Sequence, residues 1–186
     1  MVITPATELD AINEIIGIIG QAPINSLEDE ADIDSLNAQR ILQGVSREIQ
    51  SKGWSWNIET ASLSPDSATK KITYRDDWLR LEGASMVRRE GYLYDLSNQT
   101  NLFTASVSVD IVRLIDFEDL PEVVRKFVTV RASRIFQVRS VGAQELDAAA
   151  RLAEQEAYQA LQEFELDFGA YNQVDSDPYL TDVMSR

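Results

Sequence analysis

The chain holds no histidine and no cysteine, so its chemistry is limited to carboxylates, lysines, tyrosines and serines. That rules out a Ser-His or Cys-His nucleophile and an imidazole general base. Disulfides and thiolate metal sites go with them. What remains is above all carboxylate chemistry. A pair of acids flanking a glycosidic bond is the equipment of a polysaccharide hydrolase, and 31 Asp and Glu residues offer many such pairs. No spacing marks one pair above the others, so a carboxylate-pair hydrolase stays open as an alternative with no residue to name. The densest acidic run, Glu28, Asp29, Glu30, Asp32 and Asp34, lacks the spacing and the glycine of a calcium loop. These acids fall before or inside the first turn of a helix, where the dipole favours them. A Gly-rich phosphate loop, paired metal-ligand spacing and a nucleophile elbow are all missing. The expectation is therefore no catalytic residue, no cofactor and no metal.

Charge sorts the remaining classes. The net charge is −14 and is unevenly placed. Residues 1–34 carry eight acids and no base, residues 35–139 carry 13 acids and 15 bases, and residues 140–186 carry ten acids and two bases. Nucleic-acid grip needs a basic surface, and the ends of this chain are the reverse. Repulsion between copies predicts a protein that is mainly monomeric when free. No run approaches the eighteen apolar residues of a membrane span, and no secretory signal is visible at the start.

Four helical patterns position what chemistry there is. Thr7 with Asp10 forms a capping-box pattern, and Leu9, Ile12, Ile16 and Ile19 follow at helical spacing. Ala38, Leu42, Val45 and Ile49 put a second apolar face on one helix. Asp119 as N-cap and Pro121 in the first turn open a third, with Val124, Phe127, Val128, Ala132, Ile135 and Phe136 along it. Arg131, Arg134 and Arg139 give that helix a basic flank. The fourth is long, and its seam of Leu146, Ala150, Ala153, Ala157, Ala160, Phe164 and Phe168 predicts close packing. Its partner is either the preceding helix across a tight hairpin or a subunit interface. An antiparallel hairpin would bring Arg125 and Lys126 to Glu163, Glu165 and Asp167.

Between the second and third helices lies β pattern. Trp54–Leu63, Lys71–Tyr74, Trp78–Leu81 and Ala105–Ile115 read as strands, and Met86–Arg88 with Tyr92–Tyr94 as a hairpin. The expected fold class is α+β: an antiparallel bundle of about four helices with a small antiparallel β region inserted. The helices fall at about 7–19, 32–51, 120–139 and 144–168, the β region at about 54–115, and a C-terminal tail at 169–186, all in one domain spanning 1–186.

The stretch from Arg47 to Asn57 joins helix to sheet and carries two of the three tryptophans. Gly53 ends the helix, with Lys52 in its last turn. Trp54, Trp56 and Ile58 then alternate with polar residues at the period of a strand. Gly53, Trp54 and Trp56 are therefore the expected structural corner, a packing device with no chemistry of its own. The C-terminal segment is acidic and carries Tyr171, Tyr179, Leu180, Val183 and Met184 at intervals suited to an extended docking peptide.

The run SLNAQRILQGVSREIQSKGWSWNIE, the later LPEVVRKFVTVRASRIF and DFGAYN after the last helix resemble tail tubular protein A. This is the head-to-tail adaptor, or gatekeeper, family of short-tailed bacteriophages (podoviruses) of the autographivirus type. The resemblance runs from Leu9 to about Tyr171. It implies a structural virion protein in a dodecameric ring, a homo-oligomer between the portal protein and the tail nozzle protein (tail tubular protein B). Tail fibres attach near the adaptor–nozzle junction, and genomic DNA passes through without specific binding. The implied location is the virion tail, after assembly in the host cytoplasm without a membrane. On this resemblance Tyr171, Tyr179, Leu180, Val183 and Met184 would dock on the portal. Some members of the family have been proposed to degrade exopolysaccharide, which keeps the hydrolase as the alternative, beside a generic helical interaction domain.

Overall fold

The computed structural model describes residues 6–27, 32–83, 85–142 and 144–169. In chain order these form α1 (Glu8–Gly17), α2 (Ile33–Gln50), β1 (Ile58–Leu63), β2 (Trp78–Glu82), β3 (Met86–Arg89), β4 (Tyr92–Asp95) and β5 (Val107–Arg113). A 3-10 turn at Phe117–Asp119 then leads to α3 (Glu122–Ser140) and α4 (Gln144–Phe168). The class is α+β, with four helices and small antiparallel sheets, as the periodicities predict.

Each early helix starts on a side-chain cap. Thr7 Oγ1 accepts from the Asp10 N–H at 3.1 Å, and Asp10 Oδ2 accepts from the Thr7 N–H at 3.0 Å. Asp32 Oδ1 accepts from the Ser35 N–H at 2.7 Å at the head of α2. These bonds hold the carboxyls of Asp10 and Asp32 below the usual aspartate range. The caps orient apolar faces that meet on α3. Ile12, Ile15 and Ile16 of α1, Leu42 and Ile49 of α2 and Leu161 of α4 pack with Phe127, Val128, Ala132 and Phe136 of α3. The third helix is thus the centre of the bundle, with neighbours on three sides.

The β region has its own core. β5 is the middle strand of an antiparallel sheet in the order β1-β5-β2. Ile58 pairs with Val112 and Leu63 with Val107 on one side, and Leu81 pairs with Ile111 on the other. The hairpin β3–β4 turns through Glu90 and Gly91, both at positive φ (54° and 80°), as a tight two-residue turn requires. Ile72, Tyr74, Trp78, Leu93, Phe103, Val109 and Ile111 fill the space between them.

The structure departs from the sequence patterns in several places. Ser55–Asn57 is a turn closed by Asn57 N–H to Trp54 O at 3.0 Å, so the first strand begins at Ile58 rather than Trp54. The alternation of two tryptophans imitates a strand, but local hydrogen bonds bend the chain instead. Lys71–Tyr74 contributes one isolated bridge, Thr73 to Tyr92, although Ile72 and Tyr74 are buried as a strand would bury them. The long strand keeps Val107–Arg113 of the expected 105–115. Asp119 does not cap α3: it ends the 3-10 turn, buried Leu120 anchors the link, and Pro121 takes the cap position. On α4 the inward face is Asp147, Ala150, Glu154, Ala157, Tyr158 and buried Leu161, while Ala153 and Ala160 are exposed. Asp147 and Glu154 therefore join Ala150 and Ala157 on the inward face, where the small-residue seam placed no acid.

Candidate assembly surfaces

The corner brings Gly53, Trp54 and Trp56 together at the end of α2. Gly53 adopts φ +77°, and a Cβ there would stand 2.7 Å from Arg80 Nη2 and 2.8 Å from Glu82 Oε1. Arg80 uses that space. Its Nε donates to Ser51 O at 3.1 Å and its Nη2 to Lys52 O at 2.6 Å, so a guanidinium from β2 covers the last carbonyls of α2. The helix dipole is met by Arg80, while Lys52 Nζ lies 5.6 Å from the Tyr158 ring centre.

Two buried amides complete the joint. Asn57 Oδ1 accepts from the Trp54 N–H at 2.8 Å, and its Nδ2 donates to Gln50 O at 3.0 Å and Arg113 O at 2.9 Å. Gln50 Oε1 accepts from the Ile115 N–H at 2.7 Å, and its Nε2 donates to Ile115 O at 3.0 Å. The Trp54 indole N–H donates to Ile49 O at 2.8 Å, and both tryptophans lie against the bundle core. On the outer side, the Ser55 N–H and hydroxyl both donate to Glu165 Oε1, at 2.8 and 2.7 Å. Helix end, sheet edge and the last turns of α4 are thereby fixed to one another.

A second cluster ties three helices. Arg131 bonds Glu48 at 2.8 Å and Glu154 at 2.9 Å, and Arg134 bonds Asp147 and Glu154, each at 2.8 Å. Arg151 adds a 2.8 Å bond to Asp147. The bond donated by Arg134 holds the Asp147 carboxyl below the usual aspartate range, and donating to Glu154 and Asp147 raises Arg134 in turn. Two members of the expected basic flank are thus consumed inside the bundle.

The expected pairing of Arg125 and Lys126 with Glu163, Glu165 and Asp167 does not form. Arg125 is buried and donates to Ala6 O at 2.9 Å and Glu118 O at 3.3 Å, with Glu122 as ion partner. Lys126 pairs with Glu14 of α1 at 3.1 Å. Glu165 serves Ser55 instead. The Asp147 and Glu154 carboxylates are locked by arginines, an arrangement that fastens helices, whereas Glu8, Asp116, Glu118 and Asp119 line an open cleft of about 480 Å³ without ion pairs among the described residues. Among the described residues no group of three metal-ligating side chains occurs, and no helix is long and apolar enough to cross a membrane.

The candidate docking residues Tyr171, Tyr179, Leu180, Val183 and Met184 lie outside the described residues, which end at Gly169. The described surface adds features that apolar periodicity missed. The outer side of α4 exposes Leu152 and Leu166 by 59% and 60%, and Phe168 at the helix end is 55% exposed. An open groove of about 560 Å³ runs between α2 and α3, with Arg40 and Arg139 beside it.

A family model described as tail tubular protein matches residues 9–171. The chain is also 30% identical over 121 residues to tail tubular protein A of Klebsiella phage KP34, a match covering 62% of this chain. It spans 63% of that relative, less than two thirds of its length.

Proposed function

We propose, since the chain belongs to the tail tubular protein family and is thereby a structural component of a bacteriophage tail, that it forms a ring-shaped adaptor joining the portal to the tail nozzle. The family match over 9–171 carries this reading, because it takes in both the bundle and the β region. The chain acts as one unit, residues 1–186, repeated around a dodecameric ring in the virion. Its partners are the portal protein, the nozzle protein and the tail fibre that attaches near their junction. An assembly of copies each carrying −14 gives the genome a repulsive wall, so DNA slides through without specific binding. The same charge keeps the free protein mainly monomeric until the portal supplies a template. No catalytic task is assigned.

Docking on the portal is assigned to the C-terminal segment, through Tyr171, Tyr179, Leu180, Val183 and Met184. This segment is acidic, carries aromatic anchors, and follows in the sequence the helix whose Glu165 holds Ser55. Co-purification with tagged portal rings tests the assignment. The full chain should be retained, and a chain ending at Gly169 should be lost while keeping its melting temperature. Equal retention of the shortened chain would move docking to the helices or the β region.

A further inference from the structure

We infer that the groove between α2 and α3 receives the outer face of α4 from a second copy of the chain. The contact rests on the ring-forming reading and supplies its subunit interface.

The groove is built for an acidic, apolar, closely approaching occupant. Half-buried Ile41 and Ile135 line it beside buried Val45 and Phe136. Arg40 and Arg139 stand at it exposed, and neither has an ion pair or hydrogen bond among the described residues. Neighbouring Arg131 and Arg134, by contrast, each hold two carboxylates. Two unspent cations beside apolar side chains are notable in a chain of net charge −14. Gly44 adds a second observation. It sits inside α2, where glycine costs about 1 kcal/mol relative to alanine. A Cβ at this position would meet nothing within 4 Å, so no packing within one copy calls for the glycine. It leaves room for a backbone arriving from outside.

The outer face of α4 matches that description. Leu152, Glu156, Gln159, Glu163 and Leu166 recur at steps of four and three, and all five are exposed. Glu156 and Glu163 have no ion-pair partner among the described residues. Exposed Ala149, Ala153 and Ala160 flank them and allow a second helix to come close. Acid meets arginine, leucine meets the isoleucine-lined groove, and alanine meets Gly44. The two surfaces are different patches of one molecule, so the contact is head-to-tail, the type that makes a ring when the rotation between copies closes and a filament when it does not.

Zero native cysteines make the test clean. Asn37→Cys, at the exposed lip of the groove, in one tagged chain is mixed with Gln159→Cys in an untagged chain, on portal rings, and treated with a short bismaleimide. A linked heterodimer should form well above a control pair in which Ser97→Cys, in the loop after β4, replaces the α4 cysteine. Adding Arg40→Glu and Arg139→Glu should lower the yield roughly tenfold, and adding Glu156→Arg and Glu163→Arg on the partner should restore it. A yield no higher than the control overturns the contact, whether or not rings form. Imaging the same mixtures separates the two ideas. Rings without the cross-link leave the adaptor reading standing and discard the groove, whereas the cross-link without rings does the opposite.

Discussion

At the residue scale the corner depends on groups that cannot be exchanged for their nearest relatives. Asn57 is almost wholly buried and satisfies three backbone groups at once: the Trp54 N–H and the Gln50 and Arg113 carbonyls. Asn57→Ala would take the partner from the Trp54 N–H and a donor from each carbonyl, with Gln50 O keeping the Gly53 N–H at 3.2 Å, and urea denaturation should register a loss of about 2–3 kcal/mol. A loss within error of zero would mean the joint is held by the tryptophans alone. Gly53→Ala should cost about 1–2 kcal/mol, because alanine resists positive φ and its Cβ meets the ends of Arg80 and Glu82. The corner was legible in part. A glycine after a basic residue at the end of an apolar helical face marks a terminus by local rules alone. Asn57 and Gln50 were not legible, since their partners Arg113 and Ile115 lie 56 and 65 positions away along the chain. The pair Trp54 and Trp56 misled for the opposite reason. Their alternation is a strand's, and the turn is imposed by an amide whose role depends on distant carbonyls.

At the element scale the helices were foreseen and their mutual fastening was not. Apolar periodicity and capping residues identify four helices because both signals are local. Which arginine meets which acid depends on helix rotation, and α4 is rotated so that Asp147 and Glu154 face inward. Glu154 accepts from both Arg131 and Arg134, so Glu154→Ala should destabilise by about 1–2 kcal/mol, discounted for the partial exposure of both arginines. Arg125→Ala should lower the melting temperature by releasing the Ala6 and Glu118 carbonyls from α3, not by any effect on α4. Acid should act on the same fastenings. Asp10, Asp32 and Asp147 are all held below their unfolded value of about 3.9. A depressed carboxyl stabilises the fold above the unfolded value, and the contribution is lost as pH falls through the folded one. Stability should therefore fall as pH drops below about 4. Asp147→Asn should melt lower than the parent at pH 7 yet lose less on acidification. An equal loss in both proteins would show that the bond from Arg134 to Asp147 does not couple folding to protons.

At the scale of the whole molecule the decisive quantity is charge. A chain of −14 must overcome repulsion to assemble, and short-range pairing at a few unspent arginines opposes a long-range field that salt screens. Self-association should therefore strengthen as ionic strength rises through the physiological range, by sedimentation velocity; rings that form freely at low salt would contradict that balance. Membership of the tail protein family was legible only through resemblance, because a structural tail component works through surfaces completed by other molecules. The central claim is that these surfaces build a ring on the portal. Portal rings mixed with an excess of the full chain at moderate salt and imaged in negative stain test it most directly. The account predicts a second ring stacked coaxially on each portal. Bare portals beside monomeric protein would contradict it.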